Sequence, residues 1–194
     1  PLTGTVSNDR RRYGFSQSDQ AAFEVGLRLA AQRGHQLRLI AAAPPAVEPA
    51  LRDLAASGAS SVCRVDVPEG AASGDVAAAI AFAVRHDPQP LVVCGDYSLD
   101  RGSGSVPGLI AHHLALPQAL GLIEVNDPDA LASNVLRVTR RLDGGRREHL
   151  EVTGAAVLSV EGSVATLRRA PLSGVLAQRS KSIDVIEPGV EAVA

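Results

Sequence analysis

Short aliphatic runs alternating with segments of helical period predict an α/β fold, with a largely parallel sheet, flanking helices and an added antiparallel hairpin. Three observations carry this reading. Residues 37–42, 62–67 and 91–94 are aliphatic runs separated by helical segments, and strands joined that way need right-handed crossovers and run parallel. Hydrophobic residues make up 45% of the 194 positions but aromatics only 3%, so Ala, Val, Leu and Ile must build the core. Side chains that small let helices pack closely on a buried sheet. Finally, Asp143-Gly144-Gly145 separates two strand-like runs at 135–141 and 147–152, a strong hairpin signal.

Residues 1–15 form a polar lead-in without periodicity. Ser16 or Ser18 then offers a helix N-cap, with Asp19 in the first turn where the helix dipole favours a carboxylate. Ala22, Val25, Gly26, Leu29 and Ala30 recur at helical spacing until Gly34 stops the helix. A strand at 37–42 follows, and Pro44-Pro45 opens the loop to a second helix at 46–57, ended by Gly58. The alternation continues with a strand at 62–67, a helix at 75–85, a strand at 91–94, a loop and a helix at 106–114. Beyond the hairpin, 155–160 is one more strand. The tail from Glu161 is weakly periodic apart from a short helical stretch near Val175. The length favours one domain over 1–194.

Composition excludes several function classes. A net charge of −2, with Lys181 the only lysine, leaves no electrostatic footprint for nucleic acid or an anionic membrane. The scarcity of aromatics also argues against a base-stacking platform. No apolar run approaches the roughly 20 residues that stable membrane insertion requires. The first dozen residues do not resemble a signal peptide, and Cys63 and Cys94 sit in strand-like runs as buried, reduced thiols, so a soluble cytoplasmic protein is expected.

Candidate chemistry concentrates in one loop. In an open α/β sheet, ligands bind beyond the carboxyl ends of the strands. The segment from Gly95 to Val106 leaves such an end and enters a helix. Gly102 and Gly104 would let backbone N–H groups close on a phosphate, and the helix N-terminus adds positive potential. Ser103 and Ser105 would add hydroxyl donors, and Asp100 would accept from a ribose hydroxyl. A solvated connecting loop is the alternative reading, because neither a Walker motif nor a dinucleotide fingerprint is present. Elsewhere the adjacent His112 and His113 point to different helix faces, with no Cys or carboxylate at ligand spacing, so no metal site is expected. No nucleophile elbow occurs and no Ser groups with a His and an acid, so no substrate turnover of its own is expected. Asp127 and Asp129, flanking Pro128, read as turn residues.

The stretch VTRRLDGGRREHLEVTGAAVLSV at 138–160 resembles the signature of electron-transfer flavoprotein β subunits. Arg140, Asp143, Gly144, Gly145, Glu148 and Leu150 match its pattern, and Ala155 stands where the family has proline. Upstream, LVVCGDYSLDRGSGSVPGLIAHHLALPQ is similar to the family's nucleotide loop and following helix. Asp100, Gly104, Ser105 and Val106 fall on its phosphate-contacting run, Ser16 where an Asn lies near the adenosine, and Ala42 at a lining strand end. Leu172 takes the position of an exposed docking leucine, which makes 160–194 a partner-docking loop and tail. The family also carries a strand ahead of the Leu2 position.

That resemblance implies a Rossmann-like, adenine-nucleotide-binding electron-carrier subunit. It would hold AMP, or in some branches FAD, and share the main FAD with an α-type partner subunit. Flavin-dependent dehydrogenases would supply the electrons. The competing reading is a stand-alone adenine-nucleotide-binding protein of the universal-stress type, which would lack the 143–145 hairpin and the tail after it.

Overall fold

The computed structural model describes residues 13–88, 90–99, 101–128 and 134–188. The predicted Asp100 and Asp129 lie outside them. Helix α1 (Gln17–Arg33) opens on Ser16, whose hydroxyl accepts from the Asp19 N–H while the Asp19 carboxylate accepts from the Ser16 N–H. This reciprocal capping box satisfies two of the helix's orphan donors, and Gly34 closes the other end at φ 65°. Strand β1 (Arg38–Ala42), helix α2 (Glu48–Ala55), β2 (Ser61–Val65), α3 (Ser73–Val84), β3 (Leu91–Gly95) and α4 (Val106–Leu114) follow as the aliphatic pattern predicts.

The α/β reading is borne out, with an added complexity in the sheet. Strands β1 and β2 pair in parallel with a short strand β8 (Asp184–Ile186) on the far side of β2. A second sheet has the order β3, β7 (Ala156–Val160), β4 (Gln118–Asn126), β5 (Val135–Arg141) and β6 (Arg147–Thr153). Strand β7 pairs in parallel with both β3 and β4, whereas β4, β5 and β6 are antiparallel. The predicted hairpin forms, with Gly144 and Gly145 both at positive φ in its turn.

Burial follows position. Strand β7, flanked on both edges, is buried throughout, and its Val157, Leu158 and Val160 are fully inaccessible. The main core sets Leu158 and Val160 against Ala21, Ala22, Val25 and Leu29 of α1 and against Leu122, Leu136 and Val138 of the mixed sheet, while Val157 packs with Ala77 of α3 and with Ile110 and Ala111 of α4. By contrast, β3 is only half-buried along its whole length, and β1 is half-buried beyond its exposed first residue. The outer edges of β1 and β3 are not paired with each other; they line opposite sides of a cavity of about 860 Å³. Successive residues of each strand line it, so the cavity runs along their hydrogen-bonding edges and not along one face. A five-residue strand occupies about 800 Å³ at ordinary strand and sheet spacings.

Two features differ from the sequence reading. Strand β4 escapes the pattern because Gly121 interrupts it at a register shift between Ala119 and Leu122. Asp127 is no simple turn residue. Its side chain is fully buried and accepts from Arg33 Nε at 2.5 Å, tying the end of α1 to the β4–β5 connection.

A buried carboxylate fastens the segment after β7. Glu24 of α1 accepts from the Arg168 backbone N–H and from Arg168 Nε and Nη2 at 3.2, 2.9 and 2.8 Å. Arg28 Nε adds a fourth bond at 3.1 Å. Beyond it, helix α5 (Leu172–Ser180) lies against α2.

Candidate functional site

The carboxyl ends of β1 and β3 open into the mouth of the cavity, where a doubly wound sheet places ligands. The mouth is assembled from the start of α1, the end of β1 and the segment after β3. Ser16 and Ser18 are buried, and both donate to the Tyr97 carbonyl, at 2.9 and 3.1 Å. The turn after β3 is thereby stitched to the helix start. Gly95 permits the close approach, since a Cβ there would sit 2.7 Å from the Asp19 N–H nitrogen and Oδ1.

The loop then folds back on itself. Gly102 and Gly104 both adopt left-handed backbone, with φ of 61° and 63°. A Cβ on Gly104 would lie 2.7 Å from the Asp96 carbonyl oxygen, so the loop needs glycine on both conformational and steric grounds. Ser103 and Ser105 share a hydroxyl–hydroxyl bond at 2.9 Å, and α4 starts at Val106 with Ser105 as its N-cap residue. Arg101 reaches across to donate to the Gly70 carbonyl at 2.6 Å, tying the loop to the turn before α3.

The predicted residues therefore meet in part. Ala42, Gly95, Ser103, Gly104 and Val106 all line the cavity. Gly102 and Ser105 are exposed in the same loop, and Ser16 lies beneath it with its hydroxyl engaged by Asp19, Ser18 and Tyr97. Leu172 stands apart at the start of α5, with 74% of its surface exposed. Leu176, one turn later, is 53% exposed, so the two form an aliphatic pair on the outer face of that helix.

One residue that the sequence reading passed over is Asp96. Its Oδ1 is buried without a hydrogen-bond partner among the described residues, and the residue lines the cavity mouth. The signal was available, since a carboxylate directly after a parallel strand sits where ligands bind.

The two cysteines occupy strands as predicted, Cys63 in β2 and Cys94 in β3, and both are free. Cys63 is buried as predicted and Cys94 only half-buried; burial pushes both thiols up, and with the nearby Asp19 carboxylate it brings Cys94 to about 12. Neither thiol is poised as a nucleophile at neutral pH.

Comparison with known proteins decides the lineage. The family model for the electron transfer flavoprotein domain matches residues 3–190. The chain belongs to the electron transfer flavoprotein family. It is 23% identical over 185 residues to the electron transfer flavoprotein subunit beta of Methylophilus methylotrophus, covering 93% of this chain and 69% of that protein. The human subunit beta is 26% identical over 192 residues, covering 96% of this chain and 73% of its own length. The Mycobacterium tuberculosis subunit beta is 33% identical over 105 residues, which is 53% of this chain and 38% of that protein. Among the described residues of this family member, no helix is long and apolar enough to cross a membrane.

Proposed function

We propose that this chain is the β-type subunit of an electron-transfer flavoprotein and holds an adenine nucleotide, AMP or FAD, at the mouth between β1 and β3. The observation that carries the reading is the Gly102–Gly104 loop. It leaves a parallel strand at its carboxyl end, turns through two left-handed glycines and enters α4 beside a cavity. Backbone N–H groups at the start of α4 would hold the phosphate, and Ala42 and Gly95 would bound the nucleoside. The first strand that the resemblance places ahead of the Leu2 position has its pairing surface in the facing edges of β1 and β3.

The main FAD is held chiefly by the α-type subunit. That flavin, when bound, accepts and passes on the electrons, while this chain shields and orients it without substrate turnover of its own. Flavin-dependent dehydrogenases deliver the electrons in the cytoplasm. The test is co-expression with an α-type subunit, purification, and mass spectrometry of the ligands released on denaturation. Adenine nucleotide together with flavin at stoichiometric yield is expected. A complex without adenine nucleotide would remove the site.

Leu172 supplies the docking contact in this reading. Burying one leucine contributes about 1.5–3 kcal/mol, enough to change affinity roughly tenfold to a hundredfold. Leu172→Ala should raise the half-saturating carrier concentration for reduction by the partner dehydrogenase by about that factor, with folding and bound nucleotide unaltered. Unchanged kinetics would leave Leu172 a surface residue.

A further inference from the structure

Helix α5 is not stabilised from within. Of its nine residues only Gln178 is buried, and Pro171 at its start makes no side-chain cap bond. An isolated helix that short is marginal in water, where roughly 12–15 residues are needed. The contacts that fix it come from α2, distant in the chain. Arg52 Nη1 donates to the Gln178 carbonyl at 3.1 Å and to the Lys181 carbonyl at 2.5 Å. That closes the carboxyl end of α5 with a positive charge, where open carbonyls and the helix dipole favour one. Near the other end, Gly174 lies against the end of α2. A Cβ there would sit 2.2 Å from the Ala56 carbonyl oxygen, so any larger residue must push the helices apart. The two contacts bracket the helix and leave Leu172 and Leu176 exposed between them and solvent.

Resting on the docking reading of Leu172 above, we propose that Arg52 and Gly174 are positioning residues for that contact. They hold α5 as a preformed helix, so Leu172 and Leu176, one turn apart, enter an apolar groove of the partner dehydrogenase together. A helix already ordered before the encounter removes the cost of ordering it during docking.

The test uses the full chain co-purified with an α-type subunit. The probes are the flavin-dependent dehydrogenases of the source organism, each reduced by its own substrate, and variants are compared on the one that reduces the wild-type complex at the lowest carrier concentration. Arg52→Ala and Gly174→Ala should each raise the half-saturating concentration about three- to tenfold, with maximal rate and flavin content unaltered. Arg52→Lys, which keeps a charged donor, should recover most of that loss. On a chain carrying both Leu172→Ala and Leu176→Ala, neither substitution should add a further loss, because no anchor is left to position. Losses that multiply in that background overturn the assignment, as does a lowered maximal rate with unchanged half-saturation. Gly174→Ala and Arg52→Lys keep the test decisive if Arg52→Ala fails to fold. If no dehydrogenase reduces the wild-type complex, or removing both leucines leaves the kinetics unchanged, the docking reading falls and this proposal with it. If the leucines matter and Arg52 and Gly174 do not, only the positioning role is overturned.

Discussion

Gly104→Val is expected to leave the purified protein without adenine nucleotide. Two effects act together at this position. A β-branched residue at φ 63° is a conformational outlier, costing about 1–2 kcal/mol even in open space. Space is also lacking, because the added Cβ would sit 2.7 Å from the Asp96 carbonyl oxygen, well inside van der Waals contact. The loop must open to relieve the clash, and the N–H groups at the start of α4 that the proposed site would aim at a phosphate then move apart. Several such bonds make up a phosphate site, so retention should fall by at least a hundredfold. The core lies beneath the loop, so thermal unfolding should shift only slightly. The measurement is nucleotide per chain after purification. A normal amount would show that the loop is not the phosphate site.

The second large effect is expected at Glu24, which fastens the segment leading to the proposed docking helix α5. Burial by itself raises the Glu24 carboxyl, but the side-chain and backbone bonds from Arg168, with that from Arg28, outweigh it, and the net shift is downward from 4.5. A lowered folded-state value means that the ionised carboxylate favours folding. Its stabilisation is complete above the unfolded value and is lost as pH falls through the lowered folded one. Arg168 is about half exposed, so solvent screens the pair and Glu24→Gln should cost about 2 kcal/mol, less than a fully buried pair. The melting temperature of Glu24→Gln should therefore lie several degrees below wild type at pH 7, and the gap should close as the pH falls below 4.5 and through the lowered folded-state value. The segment freed by this change leads directly into α5, so delivery of Leu172 should weaken too. A melting difference that is independent of pH would show that the lost contact is packing and not charge.

Much of this molecule is legible along the chain because its information is local. The capping box at Ser16 and Asp19, the stop at Gly34 and the turn at Gly144-Gly145 each depend on residues a few positions apart. Aliphatic runs and their spacing sufficed for the first three strands and for the α/β class, and the resemblance at 138–160 pointed to the family that the domain match establishes. Pairing between distant segments was not legible. Nothing in the sequence of β7 states that the last long strand lies between β3 and β4, since burial on both edges is a property of neighbours chosen only on folding. The same limit hid Asp127, whose buried side chain pairs with Arg33 94 positions away, and Asp96, whose Oδ1 is buried without a partner among the described residues. Local sterics and hydrogen bonding dictate the elements. Only long-range packing decides which polar atoms lose their water.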